Sequence, residues 1–291
     1  MNQSPYEVTR SPLLSFEFIL RRLHSFLGFF LVLFLFEHML TNSQAALFIG
    51  DDGRGFINGV EFLHSLPYLP MIEIGLLFVP FFIHSLWGVI YLFRLSLNSF
   101  PSDGSRPALW MFSRNHAYTW QRISAVVILI FLFYHVYNMR FHRYPYEKRT
   151  GAETEFFVAV KSDEGIRSVA ARLDAKVLDK EAVSSLDDDL RFWHLADDEV
   201  LIQAPNFGTA TLFNVRDAFR STLMAILYSL FVIASAFHAL NGLWTFCITW
   251  GITLNEKSRR FVRTGTTLLM GGLIFFGLSA IWLTLRVNLA S

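Results

Sequence analysis

The chain has 291 residues, of which 53% are hydrophobic and only 17% are charged. In a soluble domain about a quarter of the residues are charged, so this composition favours a membrane protein. The net charge of +1 gives no reason to expect a nucleic-acid partner. The single cysteine, Cys247, excludes internal disulfides, a cysteine-ligated iron–sulfur cluster and a C-x-x-C-H haem attachment.

Five apolar runs are long enough to cross about 30 Å of hydrocarbon, which takes about 20 helical residues. They are continuous rather than alternating, and therefore predict helices, because only helices and closed barrels satisfy their backbone inside a bilayer. We number these helices I to V, with approximate limits 23–40, 71–95, 123–137, 222–250 and 266–285.

Lysine and arginine in short loops predict which side of the membrane each loop occupies. These residues gather before helix I, between II and III, and between IV and V, which lie on one side of a five-helix zigzag. They are Arg10, Arg21, Arg22, Arg94, Arg106, Arg114, Arg122, Lys257, Arg259, Arg260 and Arg263. The pattern predicts a cytoplasmic N-terminus and a C-terminus outside. The triplet Ser43-Gln44-Ala45 leaves open a cleaved signal peptide, although His38 inside the run argues against it.

The long segment between helices III and IV differs from the other loops in being charged. Residues 156–160 and 199–203 predict short strands, and 165–173 predict the start of a helix. We therefore expect an extracytoplasmic α/β insertion at 140–218, between membrane parts at 1–139 and 219–291. The acidic patches of the insertion, 187–189 and 197–199, are typical of a solvated cap. The sequence indicates no specific function for the insertion.

Four of the nine histidines lie well inside apolar helices: His38, His84, His135 and His238. Ionisable residues within a membrane are costly and usually mark function. Imidazole is the commonest metal ligand, and haem iron can take it axially. One such histidine alone would more readily indicate a hydrogen bond between helices. Four of them on four successive helices favour haem.

The depth of each histidine predicts how the four are paired. With a rise of about 1.5 Å per residue, His38 and His135 lie about 24 Å and 22 Å from the inner ends of their helices. His84 and His238 lie about 15 Å and 18 Å from the inner ends of theirs. The sequence thus predicts two stacked sites, an outer pair (His38 and His135) and an inner pair (His84 and His238), rather than one four-histidine cluster.

Further residues are predicted to bind the haem around the inner pair. Gly88 and Gly242 each follow an inner histidine by one turn, which would let a flat porphyrin lie close to the helix, although glycine also serves plain helix packing. Basic and polar residues at the inner rim are expected near a haem propionate, because a buried anion needs donors and positive charge. They are Arg22, His24, Ser25 and Arg122.

The chain resembles the single-chain, two-haem cytochrome b anchor of bacterial succinate dehydrogenases and fumarate reductases. The segment from His238 to Thr253, ending Thr249-Trp250-Gly251-Ile252-Thr253, is the most specific part of this resemblance. The other segments that carry it are residues 21–25, 37–38, 65–67, 69–73, 84–88, 121–122 and 135–136. The third loop is longer than is usual in that family.

The resemblance implies a function in the bacterial cytoplasmic membrane. The chain would anchor a flavoprotein and an iron–sulfur subunit on the cytoplasmic face. Electrons would pass between succinate and a quinone, expected to be menaquinone, through two haem b groups. Helix I would pair with III at the outer haem, and II with IV at the inner one. The chain has no G-x-G-x-x-G motif and no cluster ligands, so it has no dicarboxylate chemistry of its own.

A quinone is predicted beside the outer haem, because two stacked haems are needed only if electrons travel far. Quinone reduction takes up protons, and the outer rim offers the carboxylates Glu61, Glu73 and Glu37. Glu61 is the first choice, since it is expected in a loop open to water, whereas Glu37 and Glu73 could instead pair with arginine or a propionate. Two alternatives stay open: the dihaem subunit of a formate dehydrogenase or hydrogenase, and a haem-free transporter whose histidines relay protons.

Overall fold

The computed structural model describes residues 16–47, 51–94, 111–150, 153–184 and 195–290. Within these ranges five helices are long and apolar enough to cross a membrane, and they correspond to predicted helices I to V. They are α1 (Phe16–Ser43), α3 (Leu69–Arg94), α4 (Ser113–His142), α8 (Thr222–Thr249) and α9 (Glu256–Ala290). The predicted fold class, an all-α membrane protein of five spanning helices with a small α/β insertion, is confirmed.

Four of the five helices are longer than the apolar runs that predicted them, and α8 ends one residue before the limit of its run. Helix α4 runs for 30 residues, although its apolar core is the shortest of the five. Its first turns carry polar residues such as Arg114 and Gln121, which an apolar-run criterion leaves out. Long charged side chains at helix ends keep their heads at the membrane surface, so a spanning helix readily extends beyond its apolar core.

Helix α8 lies at the centre of the bundle and packs against α1, α4 and α9. Helix α3 packs against α1 and completes the group that carries the four histidines. Gly277 of α9 allows one close three-helix contact, because a Cβ there would lie 2.5 Å from Val232 Cγ1 and 2.9 Å from Met39 Sδ. Small residues of this kind let membrane helices approach closely.

Two of the spanning helices widen into π-helix. In α3 the π segment Glu73–Phe78 ends two residues before Pro80, and in α4 the last turn, Tyr137–His142, is π-helical. Proline lacks an N–H and crowds the preceding turn, so a wider turn before Pro80 relieves that conflict. The two widened segments are joined by an ion pair between Arg140 Nη2 and Glu73 Oε2, 3.0 Å apart.

In its described residues, 140–150, 153–184 and 195–218, the insertion has a four-stranded antiparallel sheet and three helices. The strands are β1 (Tyr146–Thr150), β2 (Glu153–Lys161), β3 (Lys176–Leu178) and β4 (Glu199–Ala204), in the order β1-β2-β4-β3. The helices are α5 (Ile166–Arg172), α6 (Lys180–Ser184) and α7 (Phe207–Ala218). Both strands and the helix that the sequence predicts here are present, as β2, β4 and α5. The acidic patch at 187–189, together with Arg10 and Arg106, lies outside the described residues.

The insertion and the bundle share one apolar core. One face of the sheet, with Val158 and Ile202, packs on α7 and is continuous with Val232 in α8 and Ile281 in α9. Helix α7 is buried on nearly all sides, between the sheet and the short helix α2 (Arg54–His64). The insertion therefore sits directly on one end of the bundle, which we call the insertion end.

Polar contacts reinforce this junction. Asn288 Nδ2 at the end of α9 donates to the carbonyl of Arg216 at 2.7 Å. Asp217, whose side chain is 3% exposed, accepts hydrogen bonds from Arg143 and from the Lys161 backbone N–H. Asp52, at the start of α2, accepts from Arg172 Nε and Nη2 in α5. That hydrogen bond from Arg172 is the main cause that holds the pKa of Asp52 below its ordinary value.

Candidate functional site: two histidine pairs

The outer pair joins α1 and α4. The ring centres of His38 and His135 are 5.8 Å apart, with an angle of 84° between the ring planes. Aromatic side chains surround both rings: Phe34 lies against His38, and Phe231 lies 5.9 Å from the centre of His135. The two histidines that sequence depth predicts as partners therefore face each other.

The inner pair joins α3 and α8. The ring centres of His84 and His238 are 6.2 Å apart, and their planes are 82° apart. Among the residues that the structure describes, no three His, Cys, Asp or Glu side chains gather into a possible metal-binding group. Within these ranges the four histidines thus meet as two separate pairs on four helices.

Both pairs are close enough together for two imidazoles to share one metal ion. A bond from a metal to imidazole is about 2 Å long and the bonded nitrogen lies about 1 Å from its ring centre, so two imidazoles that bind the same ion would have ring centres up to about 6 Å apart. The observed 5.8 Å and 6.2 Å agree with this value. The residues present therefore fit the haem groups that the resemblance implies.

Backbone carbonyls fix the protonation of the inner pair. His84 Nδ1 lies 2.9 Å from the carbonyl oxygen of His24, and His238 Nδ1 lies 3.2 Å from that of Gln121. A carbonyl only accepts, so in each ring Nδ1 carries the proton and Nε2 keeps its lone pair. This is the usual arrangement of a histidine that binds a metal through Nε2.

The outer pair is held by side chains instead. His135 Nδ1 lies 3.4 Å from the hydroxyl of Tyr228, which is able to donate or accept. His38 Nδ1 lies 3.5 Å from Asn42 Nδ2, and that amide also donates to the His38 carbonyl at 2.8 Å. These contacts are longer than those of the inner pair, and both partners are side chains rather than backbone carbonyls.

His24 and Arg22 lie at the end of the bundle opposite the insertion, which we call the basic end. The His24 ring stacks on His84 with 3.9 Å between ring centres and 10° between planes. The Arg22 guanidinium lies 5.2 Å from the ring centre of Trp250, and Ser25 is half-buried beside His24. Arg122 donates through Nη2 to the carbonyl of Leu92 and so joins α4 to α3.

Two more donors at the basic end were missed by the sequence reasoning. Trp87 Nε1 and Tyr91 OH are buried and, like His24 Nδ1 and Arg22 Nε, have no hydrogen-bond partner among the described residues. Buried polar groups are normally satisfied, so these donors indicate a missing acceptor. Trp87 and Tyr91 follow His84 by three and seven residues, on the same helix face, and this spacing was available in the sequence.

The glycines near the inner pair contact side chains. A Cβ on Gly88 would lie 3.7 Å from His24 Cε1, and one on Gly242 would lie 3.6 Å from Gln121 Nε2. Both are ordinary van der Waals distances. The closest approach is at Gly28 of α1, where a Cβ would lie 2.9 Å from His84 Cε1.

All three predicted quinone carboxylates have partners at the insertion end. Glu61 is not in a loop open to water: it lies in α2, is half-buried, and accepts the Gly208 backbone N–H at 2.6 Å. That part of the prediction is wrong, because α7 packs on this face of α2. Glu73 forms the ion pair with Arg140, and Glu37 accepts from the hydroxyl of Thr41 at 2.8 Å.

No established family profile matches the chain. The succinate dehydrogenase cytochrome b558 subunit of Bacillus subtilis (strain 168) is 26% identical to it over 267 residues. The chain is a relative of that cytochrome b subunit. The match covers 91% of this chain and 96% of the relative, so it extends through nearly the whole length of both. The resemblance that was found from short segments is thereby confirmed.

Proposed function

We propose that the chain is the membrane anchor and electron-transfer subunit of a succinate dehydrogenase or fumarate reductase. Its relative is named as the cytochrome b558 subunit of succinate dehydrogenase. The observation that carries the proposal is the pair of ring separations, 5.8 Å and 6.2 Å, on four successive membrane helices. The outer and the inner histidine pair would each hold one haem b.

A bound haem supplies one-electron redox chemistry, and the chain's own residues position and tune it. His84 and His238 would bind through Nε2, because their Nδ1 protons are engaged by backbone carbonyls. Carboxylates of the inner haem would lie at the basic end, where Arg22, Trp87 and Tyr91 offer buried donors. Ser25 and Arg122 would complete this surrounding, with His24 against the inner ligand.

The soluble partners would dock at the basic end, on the cytoplasmic side. The loop between α8 and α9 and the start of α9 add Lys257, Arg260 and Arg263 to Arg21 and Arg22 there. By the positive-inside rule this end faces the cytoplasm. An iron–sulfur subunit, with its flavoprotein, would thus lie nearest the inner pair, and electrons would cross to the outer pair.

The quinone would react at the insertion end, beside the outer pair. Glu37 is the carboxylate best suited to handle its proton, because its partner Thr41 is neutral. Protonation of Glu73 would break its ion pair with Arg140, and protonation of Glu61 would weaken the hydrogen bond that it accepts from the Gly208 N–H. We therefore place Glu37 before Glu61 and Glu73, which reverses the order expected from the sequence.

Absorption spectra of the purified complex test this proposal. We expect two haem b groups per chain, both low-spin, and co-purification of two hydrophilic subunits. His84→Ala or His238→Ala should remove the inner haem alone, and His38→Ala or His135→Ala the outer haem alone. His64→Ala is the matched control, because His64 stacks on Phe207 away from both pairs.

A purified chain without haem would refute the proposal and favour a transporter. Two haems with the partners of a formate dehydrogenase or hydrogenase would refute the succinate dehydrogenase assignment alone. Loss of both haems in equal measure from every histidine variant except the control would refute the pairing.

A further inference from the structure

A carbonyl inside an α-helix has one more lone pair than its helix uses. It accepts the N–H four residues later, and its second lone pair is free for another donor. The side chain of a helical residue, however, lies over the turn that precedes it. A side chain at position i+4 therefore tends to cover the carbonyl of residue i, whereas a glycine there leaves it open.

Helix α1 uses this opening at the inner pair. The carbonyl of His24 accepts from His84 Nδ1 at 2.9 Å, and the residue four positions later is Gly28. A Cβ on Gly28 would lie 2.9 Å from Cε1 and 3.2 Å from Nδ1 of His84. The His84 ring thus occupies the space in which any larger residue would place its side chain.

Helix α8 repeats the arrangement with more room. The carbonyl of His238 accepts from Gln121 Nε2 at 3.0 Å, and the residue four positions later is Gly242. Here a Cβ would lie 3.6 Å from Gln121 Nε2, which is an ordinary contact. An alanine at 242 would therefore make only an ordinary contact with Gln121, whereas an alanine at 28 displaces the His84 ring.

We infer that Gly28 is a positioning residue for the inner haem. It keeps the His24 carbonyl open, and that carbonyl holds the Nδ1 proton and the ring orientation of His84. A ligand histidine that donates from Nδ1 is a stronger base at Nε2, which stabilises oxidised iron. This inference rests on the proposed function, because the ligand role of His84 is part of that proposal.

The test is a redox titration of the purified complex that carries Gly28→Ala. The absorbance of each haem reports its state of reduction during the titration. The displaced His84 ring loses its hydrogen bond, so the reduced form of the inner haem should become more stable relative to the oxidised form. Changes to such supporting contacts typically alter metal binding by about 10-fold to 100-fold. A tenfold change in the ratio of reduced to oxidised haem corresponds to about 59 mV for one electron, here towards a higher potential.

Two controls separate this effect from general damage. Gly271→Ala and Gly272→Ala in α9 each place a methyl where no atom of the described residues lies within 4 Å. Both should leave the inner potential within about 20 mV of the unchanged protein, a ratio change of roughly twofold. The outer potential should stay the same in all three variants.

If Gly28→Ala does not assemble, redox-difference infrared spectra of the unaltered complex with isotope-labelled histidine provide the test. Around the redox potential of the inner haem, these spectra should contain bands of hydrogen-bonded imidazole that is protonated at Nδ1. The absence of these bands would overturn the inference. An unchanged potential of the inner haem in Gly28→Ala, or equal shifts of both haem potentials, would also overturn it. An unaltered complex without haem would instead overturn the proposed function, so the two failures are distinguishable.

Discussion

Asp217 offers the sharpest test of how the insertion is attached to the bundle. Its side chain is 3% exposed, and it accepts from Arg143 at the end of α4 and from the Lys161 N–H in β2. Arg220 Nε lies 3.0 Å from Asp217 Oδ1 and also pairs with Asp163. The variant Asp217→Ala removes the shared acceptor and leaves two arginines close together.

The expected cost follows from burial. Removing one partner of a buried ion pair costs about 3–5 kcal/mol, because the other charge is left without compensation. Arg220 keeps Asp163, so the lower half of that range applies. At about 1.4 kcal/mol per tenfold change, local opening of the insertion should become several hundred times more frequent.

Limited trypsin cleavage of the complex in lipid nanodiscs measures this opening. Cleavage between residues 146 and 218 should accelerate in Asp217→Ala, while the haem spectrum is retained. Asp198→Ala is the matched control, since its side chain is 61% exposed and pairs with the exposed Lys161 amine. Equal cleavage of Asp217→Ala and the unaltered chain would refute the reasoning from burial.

Two further predictions concern Glu37, Glu61 and Asp52. Glu37→Gln should lower succinate-to-quinone turnover by about a hundredfold, the usual scale of a lost proton donor, and leave succinate oxidation by a soluble acceptor unchanged. Glu61→Gln should change neither rate more than about twofold, and the opposite ranking in steady-state assays would contradict the choice of Glu37. Arg172 lowers the pKa of Asp52 in the folded chain. The hydrogen bond between them therefore stabilises the fold above the unfolded pKa of about 4, and this stabilisation is lost as the pH falls through the lowered pKa. Hydrogen exchange in α2 should accordingly rise on acidification below about pH 4. In Asp52→Asn the exchange should already be raised at neutral pH. If the unaltered chain and Asp52→Asn have the same pH profile of exchange, this role of Asp52 is contradicted.

The histidine pairs were predictable because a helix has a fixed rise. Once the apolar runs were placed, the height of His38 or His238 needed only counting along its own helix. The glycine after each inner histidine was also visible in sequence. The contacts of these glycines were not, since the atoms that approach Gly88 and Gly242 come from other helices.

Glu61 shows where such reasoning ends. The residue that it contacts, Gly208, is 147 positions away, beyond two spanning helices and most of the insertion. Nothing in the neighbourhood of Glu61 specifies that α7 will cover it. Trp87 and Tyr91 are different, because their spacing from His84 is regular and a search for polar groups on the ligand face would have found them.

The two histidine pairs differ in what a point substitution is able to adjust. At the outer pair the ring contacts are the side chains of Tyr228 and Asn42, so replacing either one alters a ligand without changing its helix. At the inner pair the acceptors are the main chain at His24 and Gln121, which every amino acid possesses. Single substitutions thus act directly on the ring contacts of the outer pair. At the inner pair they act through residues beside the backbone acceptors, such as Gly28 next to the His24 carbonyl and Ser124, whose hydroxyl lies 3.5 Å from His238 Nδ1.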